Sequence, residues 1–499
     1  MKQLLIISII IIHLAGSVLH SCAQQTQKYQ QNWSSLQKHQ TPNWFMGMKF
    51  GIYCHWGAQT AIIESGNREM THLEGIEYWK GERFNAKEWV DLFQAAGAQF
   101  GGPVAWHGSG LLHWDSDVTD WNSVNRGPNI DVYGELAKEL RNRNMPVISS
   151  FHTGDFWSRM WGPVSKENPT YLDPAQDNSK YATSNSGRID TVIFDAWYAR
   201  LSEAINKYQP DIIWFDTGFG GTIKGDLRGG APNGRLLPGG DHELMGTAPE
   251  KYQQKLISHY FNKSLEWGKE VEVIYKTHDI PPGIGTRDIE NGNLVGLQYD
   301  TWMADINMQH HYEWWATWFY NPANKTKTAG TLVDMLIDMT SKNGRMLLNV
   351  PPKADGTFAP EITKELYAMG AWLQLNGEAI YNTMPWIFFG EGPTEVTHPG
   401  HHAQGKDHGK NIPEYTAEDI RFTQNGKNLY AICMDWPGKE LVIRTLGSKG
   451  KLYPGDIKSV RLLGCNETII WEQTEAGMVV QFPKKKPCDF AYVLKIERN

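Results

Sequence analysis

Short apolar runs, each stopped by a histidine or an aspartate, recur along the first half of the chain. Lys49-Phe50-Gly51-Ile52-Tyr53-Cys54 leads into His55, and Pro103-Val104-Ala105-Trp106 leads into His107. Val147-Ile148-Ser149-Ser150-Phe151 leads into His152, and Ile212-Ile213-Trp214-Phe215 leads into Asp216. Runs this short, bounded by Gly, Pro and polar turns, predict buried parallel strands. Between and after them the apolar positions take a helical period, around 88–93, 132–142, 193–208, 251–267, 332–341 and 362–375. Val271 to Tyr275, Gly296 to Tyr299 and Met346 to Val350 read as a fifth, sixth and seventh strand. The alternation predicts an α/β chain, a (β/α) barrel over residues 40–383. From Met384 onward, short alternating runs are separated by Gly, Pro and Asn, which predicts an all-β sandwich over 384–499. In a parallel barrel, chemistry gathers where strands end and βα loops begin, and His55, His107, His152 and Asp216 occupy such positions.

Charge narrows the partners. The chain of 499 residues has a formal net charge of −7, and no basic face is apparent that would neutralise phosphates, so nucleic acid is not an expected partner. At the N-terminus, Lys2 followed by the apolar run Leu4 to Leu14 predicts a secretory signal over residues 1–22. Leu19-His20-Ser21-Cys22 also resembles a lipoprotein box, which predicts a lipid tether on Cys22. Ordinary cleavage after Ala23 is the alternative. Both predict a bacterial protein that is periplasmic or tethered to the outer membrane. Four further cysteines are too scattered for a disulfide scaffold or a zinc spacing, with pairing of Cys465 and Cys488 and two free thiols both open. The histidines lack the usual short metal-binding spacings, and no cofactor is expected.

The tryptophans matter by position. Trp56, Trp106, Trp157, Trp214, Trp302, Trp314, Trp315 and Trp318 fall near the predicted rim or its loops. Flat aromatic faces pack on the apolar faces of sugar rings, although core packing is the simpler role for Trp214 and Trp318. Together the motifs resemble the α-L-fucosidases, glycoside hydrolase family 29. The likeness is carried by Trp44-Phe45, Lys49-Phe50-Gly51-Ile52, His55-Trp56-Gly57, Glu77-Tyr78-Trp79, Phe84 to Trp89, Trp214-Phe215-Asp216, Asn343 to Val350, and Trp372 to Tyr381. It covers about residues 40–385, with a looser match around Leu429 to Pro437.

The resemblance implies a retaining exo-glycosidase acting on an oligosaccharide or polysaccharide. Asp216 would attack the anomeric carbon, and a second carboxyl would protonate the leaving oxygen and later activate water. Glu290 is the expected second carboxyl, with Glu243, Glu250 and Glu313 as rivals. His55, Trp56, Glu77, His107, His152 and Trp214 form the expected sugar-binding set. One motif departs from the family. Members usually carry Lys-His-His-Asp-Gly-Phe where this chain has Trp106-His107-Gly108-Ser109-Gly110-Leu111. The replacements after His107 are smaller, which suggests room for the 6-hydroxyl or a sulfate of an L-galactoside, such as one from an algal galactan. A carbohydrate-binding protein on a degenerate hydrolase scaffold is the alternative, and the intact Asp216 weighs against it.

Overall fold

The computed structural model describes residues 28–67, 69–107, 110–152, 191–216, 222–223, 244–245, 248, 250–276, 280–310, 318–394, 414–450, 452 and 457–498. The predicted signal and Cys22 lie outside them, as do Gly108, Ser109, Trp157, Glu243, Glu313, Trp314 and Trp315. No helix among the described residues is long and apolar enough to cross a membrane.

Eight parallel strands close into a barrel. They are β1 (Phe50–Cys54), β2 (Phe100–Trp106), β3 (Ile148–Phe151), β4 (Ile212–Phe215), β5 (Glu272–Lys276), β6 (Thr286–Asp288), β7 (Trp302–Asn307) and β8 (Gly344–Asn349). Each strand pairs with its neighbours in sequence, and β8 closes on β1. Two apolar clusters lie on the two sides of the wall. Tyr53, Phe100, Val104, Ile148, Ile212, Trp214, Ile274, Met303 and Leu347 fill the interior. Ile52, Cys54, Ile213, Phe215, Val273, Ile306 and Leu348 face the surrounding helices. Because strand side chains alternate, this fixes the parity of β1, β3, β4, β5, β7 and β8.

The helices that cover the wall form where the sequence places caps and an apolar stripe. Asn85 caps Ala86–Ala95 by accepting from the amides of Lys87 and Glu88. Asp131 caps Val132–Asn142 by accepting from Gly134 N. Pro360 opens Pro360–Asn376 at a position where its missing N–H costs nothing.

Two departures from the sequence reading concern the second half of the barrel. The segment Gly296 to Tyr299 is not a strand: Leu297 is exposed and Tyr299 fully so. The sixth strand is Thr286–Asp288, level in register with Ile274 to Lys276. Among the described residues, no crossover helix of the kind a parallel connection usually carries lies between β5 and this strand. The expected seventh strand is therefore the eighth, and Trp302–Asn307 is the seventh.

The C-terminal part is a five-stranded antiparallel sheet ordered β9-β10-β11-β16-β13 and a three-stranded one ordered β12-β15-β14. The strands are β9 (Met384–Glu391), β10 (Ile420–Asn425), β11 (Asn428–Cys433), β12 (Glu440–Ile443), β13 (Ile457–Leu462), β14 (Ile470–Gln473), β15 (Met478–Gln481) and β16 (Tyr492–Arg498). Both sheets contribute to one apolar core, with Phe422, Leu494 and Ile496 from the first and Leu441, Ile443 and Val480 from the second. Cys465 and Cys488 are separate thiols, which settles the open pairing. Arg421 of β10 reaches into the barrel's outer layer, where its Nε donates to Asp338 Oδ1 at 2.6 Å. Lys342 Nζ and Asn293 Nδ2 take the other oxygen of Asp338, each at 2.6 Å. A buried carboxylate with these partners is fully satisfied, and it joins the sandwich to the barrel.

Candidate active site

Strand parity builds the site. On β4, Ile212 and Trp214 face inward and Ile213 and Phe215 outward, so Asp216 follows inward at the C-terminal end. The same alternation turns Lys276 inward after Ile274, Asp305 inward after Met303, and Asn349 inward after Leu347. Lys276 pairs in register with Asp288, which brings β6 level with it.

Lys276 is the hub. Its Nζ lies 3.1 Å from Glu290 Oε2, 3.1 Å from Asp305 Oδ1, 3.3 Å from Asp288 Oδ2 and 3.5 Å from Asp216 Oδ1. It also lies 5.0 Å from the centre of the Trp214 ring. Burial pushes the lysine pKa down, but the four carboxyl groups outweigh burial and hold it well above the ordinary lysine value. Burial pushes Asp305 well above the usual carboxylate range, and the neighbouring Asp288 adds to this. Asp288 is also raised, by burial, with Lys276 acting against it. Tyr53 Oη donates to Asp305 Oδ2 at 3.2 Å, and Asp305 N donates to Asp288 Oδ1 at 3.1 Å.

The four carboxyl groups differ in access. The side chains of Asp288 and Asp305 are 0% and 1% exposed, whereas those of Asp216 and Glu290 keep 10% and 18%. Asp216 and Glu290 therefore present surface to a ligand, while Asp288 and Asp305 hold Lys276 from below. Lys276 lies between the two accessible groups, so their oxygens are no farther apart than its two contacts laid end to end. Such a pair can handle a negative charge and a proton at two nearby points of one bound molecule.

Three of the expected histidines meet at this rim. The ring centres of His55 and His107 are 5.0 Å apart, and those of His107 and His152 4.3 Å apart. His152 Nε2 contacts Asp216 Oδ2. Trp318 and Phe319 flank His55 at 5.3 and 5.4 Å. Trp214 packs edge-on against Tyr53 beneath Lys276.

Other expected residues stand elsewhere. Trp56 is 2% exposed, enclosed by Trp79, Phe84 and Trp89, and its indole donates to Lys353 O, so it has no face to offer a sugar. Glu77 forms a half-exposed pair with Arg126 at 3.4 Å. Trp302 lies at the start of β7, the opposite end of the barrel from the rim, and donates to Lys342 O. Trp106 is fully buried in the outer core. Glu250 begins a helix on the surface and accepts from Gln254 Nε2. Leu111 is buried in the outer core as well, and its neighbours Gly108 and Ser109 lie outside the described residues.

Sequence reading missed Lys276, Asp288, Asp305, Asn307 and Asn349. Each sits at an inward-parity position near a strand end, and that parity is the signal that finds them. Among the described residues no cluster of His, Cys, Asp and Glu is arranged to hold a metal ion.

A buried histidine beside the site gives a testable pH effect. His113 is 3% exposed and lies against Gly57, in the turn that follows His55. Burial pushes its pKa down to about 4, with a hydrogen bond to Val104 acting against that. In the unfolded chain a histidine titrates near ~6.5. The unfolded state therefore binds a proton that the folded state refuses, so this contribution is full above that pH and is lost as pH falls toward 4. Relative to His113→Gln, the wild type should lose up to ~1.4 kcal/mol of stability per pH unit through this window. Urea midpoints of both proteins at pH 7 and pH 5 test this, and a constant difference would contradict it.

Comparison with known proteins gives one answer along the chain. The family model described as Alpha-L-fucosidase matches residues 17–378, and the one described as Alpha-L-fucosidase C-terminal domain matches 413–497. The alpha-L-fucosidase of Branchiostoma floridae is 25% identical, the match covering 96% of this chain and 98% of that protein. Human tissue alpha-L-fucosidase is 24% identical, over 95% and 93% of the two chains. Among solved structures, the Thermotoga maritima alpha-fucosidase in complex with fucose has the same fold, with a TM-score of 0.67 and 23% identity, covering 94% of this chain and all of that one.

Proposed function

The chain belongs to the α-L-fucosidase family of glycoside hydrolases, and from that premise we propose that it is a retaining exo-enzyme removing a terminal α-L-sugar from an oligosaccharide or polysaccharide. Asp216 is the nucleophile and Glu290 the acid/base. The observation that carries this reading is the access pattern around Lys276: of its four carboxyl partners, the two that keep exposed surface are Asp216 and Glu290. Retention is supported by their closeness. Inverting enzymes hold their carboxyl groups ~6.5–9.5 Å apart to admit a water, against ~5–5.5 Å in retaining ones. Contacts of 3.5 and 3.1 Å to one ammonium keep the nearest oxygens of the pair close, which favours the shorter spacing.

In the first step Asp216 attacks the anomeric carbon as the glycosidic bond breaks, and Glu290 gives its proton to the leaving oxygen. In the second, Glu290 takes a proton from water, whose oxygen displaces Asp216 and returns the anomeric configuration to α. Lys276, in contact with both groups, places a positive charge beside Asp216 and balances the charge as Glu290 alternates between acid and base.

The terminal sugar is L-fucose or its 6-hydroxyl relative L-galactose, sulfated or not. Gly108 and Ser109, smaller than the His and Asp usual in the family, support the wider choice. A secretory leader and a lipid tether at Cys22 would place the enzyme in the periplasm or on the outer membrane, where polysaccharide fragments arrive. Aryl α-L-fucoside and aryl α-L-galactoside assayed side by side, with the first product followed by NMR, test the reading. The α anomer should appear first. A β anomer would sink the retaining mechanism, and fast release of fucose with negligible release of galactose would remove the wider pocket.

A further inference from the structure

Asn349, the last residue of β8, stands between three elements at the rim. It pairs in register with Tyr53 of β1 and Asn307 of β7, and it is fully buried. Its Nδ2 donates to Trp318 O at 2.6 Å and to Asn307 Oδ1 at 2.9 Å. Its Oδ1 accepts from the backbone N–H of His55 at 3.0 Å and lies 3.0 Å from His55 Nδ1.

Two of these partners belong to the backbone and have only one possible role. A carbonyl such as Trp318 O only accepts, so the nitrogen of the Asn349 amide must face it. The amide of His55 only donates, so the oxygen must face that side. The amide orientation is thus fixed from both ends without appeal to any side chain. An amide oxygen has two lone pairs; one takes the His55 N–H, and the other faces Nδ1. Nδ1 must then carry the hydrogen, which leaves the lone pair of the ring on Nε2.

We propose that Asn349 is a positioning residue that locks His55 as the Nδ1–H tautomer, so that Nε2 accepts a hydrogen bond from a hydroxyl of the bound sugar. The clause about the sugar rests on the function proposed above; the tautomer does not. Buried imidazole in this setting stays neutral. Burial pushes the His55 pKa down to about 3, with the Asn349 hydrogen bond and Glu290 acting upward and His152 and Lys276 downward. The rings of Tyr53, His107, Trp318 and Phe319 complete its surroundings. The same amide also holds the backbone of Trp318, so one side chain sets an acceptor and the aromatic residue beside it.

Neutron diffraction from deuterium-exchanged crystals of the full protein tests the tautomer directly. A deuteron on Nδ1 alone of His55 is expected, and one on Nε2, or on both nitrogens, overturns the proposal. Asn349→Asp tests the consequence. The carboxylate keeps the acceptor but adds a charge, which favours the imidazolium and converts Nε2 into a donor. kcat/KM on the aryl glycoside should fall on the order of 10- to 100-fold at low pH and recover as pH rises through a new ionisation. A uniform loss at every pH, with a fold intact by thermal unfolding, would reduce Asn349 to a structural role and overturn the positioning claim. If Asn349→Asp does not fold, the deuteron position in the wild type decides. Inactivity of the wild type on both aryl glycosides would count against the sugar reading alone.

Discussion

Asp216→Ala should lower kcat on aryl α-L-fucoside or α-L-galactoside by on the order of 10⁴- to 10⁶-fold, the scale seen when a nucleophile is removed. The fold should survive. Asp216 closes β4 at the rim, and its loss relieves the buried carboxyl cluster of one negative charge. The sharper result is a split in chemistry. The alanine leaves a space beside the anomeric carbon, so a small nucleophile such as azide should restore turnover and give a glycosyl azide of inverted configuration. Glu290→Gln should behave differently, keeping most of the first step on substrates whose leaving group needs no proton and losing it on ordinary oligosaccharides. Steady-state rates on aryl glycosides of graded leaving-group acidity, with the azide product identified by NMR, separate the two roles. An Asp216→Ala enzyme that keeps a tenth of the parent's rate would remove Asp216 from the mechanism. Binding of the sugar with no turnover in the parent would favour the carbohydrate-binding alternative.

Much of this arrangement is legible in the residues. The strands ending in His55, His107, His152 and Asp216 announce themselves because each is an apolar run cut off by one polar residue, and a strand buried on both faces must look like that. The second half of the barrel is harder to read for physical reasons. Thr286–Asp288 is only three residues long, all three are polar, and among the described residues no helix sets it apart from Glu272–Lys276. A pattern method seeking apolar runs passes over it and settles on Gly296-Leu297-Gln298-Tyr299, whose side chains are largely in solvent. Lys276, Asp288 and Asp305 escape notice for a related reason. A lysine or aspartate inside a strand looks like an ordinary solvated position until its parity is known, and parity becomes certain only once neighbours such as Ile274 and Met303 are placed in the interior. Trp56 illustrates the converse error. Its place in the His55-Trp56-Gly57 motif suggested a sugar platform, but adjacent residues of a strand end point to opposite sides of the wall. When His55 faces in, Trp56 faces the outer core. Glu77 carried only the likeness of a motif, with no parity to constrain it.

The acidic ring makes Lys276→Met the most damaging conservative change outside the nucleophile. Lys276 is 7% exposed by its side chain and holds four carboxyl groups within 3.5 Å. Methionine nearly matches its length and keeps its packing on Trp214, so the substitution removes charge with little change in volume. Removing one partner of a buried ion pair typically costs ~3–5 kcal/mol, because the charge left behind has neither counter-ion nor water. Asp288 and Asp305 already lie above the usual carboxylate range through burial, Asp305 well above, and without the ammonium both should rise further. The sign of the pH dependence follows. A carboxyl whose folded pKa is raised keeps its proton while the unfolded chain gives one up, so its stability contribution is fully present at low pH and is lost as pH rises. The deficit of Lys276→Met relative to the wild type should therefore be smaller at pH 5 and larger at pH 7.5, as urea unfolding at the two values would report. Activity should be lost at both, since neither Asp216 nor Glu290 retains its neighbouring positive charge. Lys276→Arg keeps that charge in a larger planar group and should recover stability before it recovers rate. A deficit of the same size at both pH values would mean that the four carboxyl groups do not depend on Lys276, and the account of the site would have to be rebuilt around another cation.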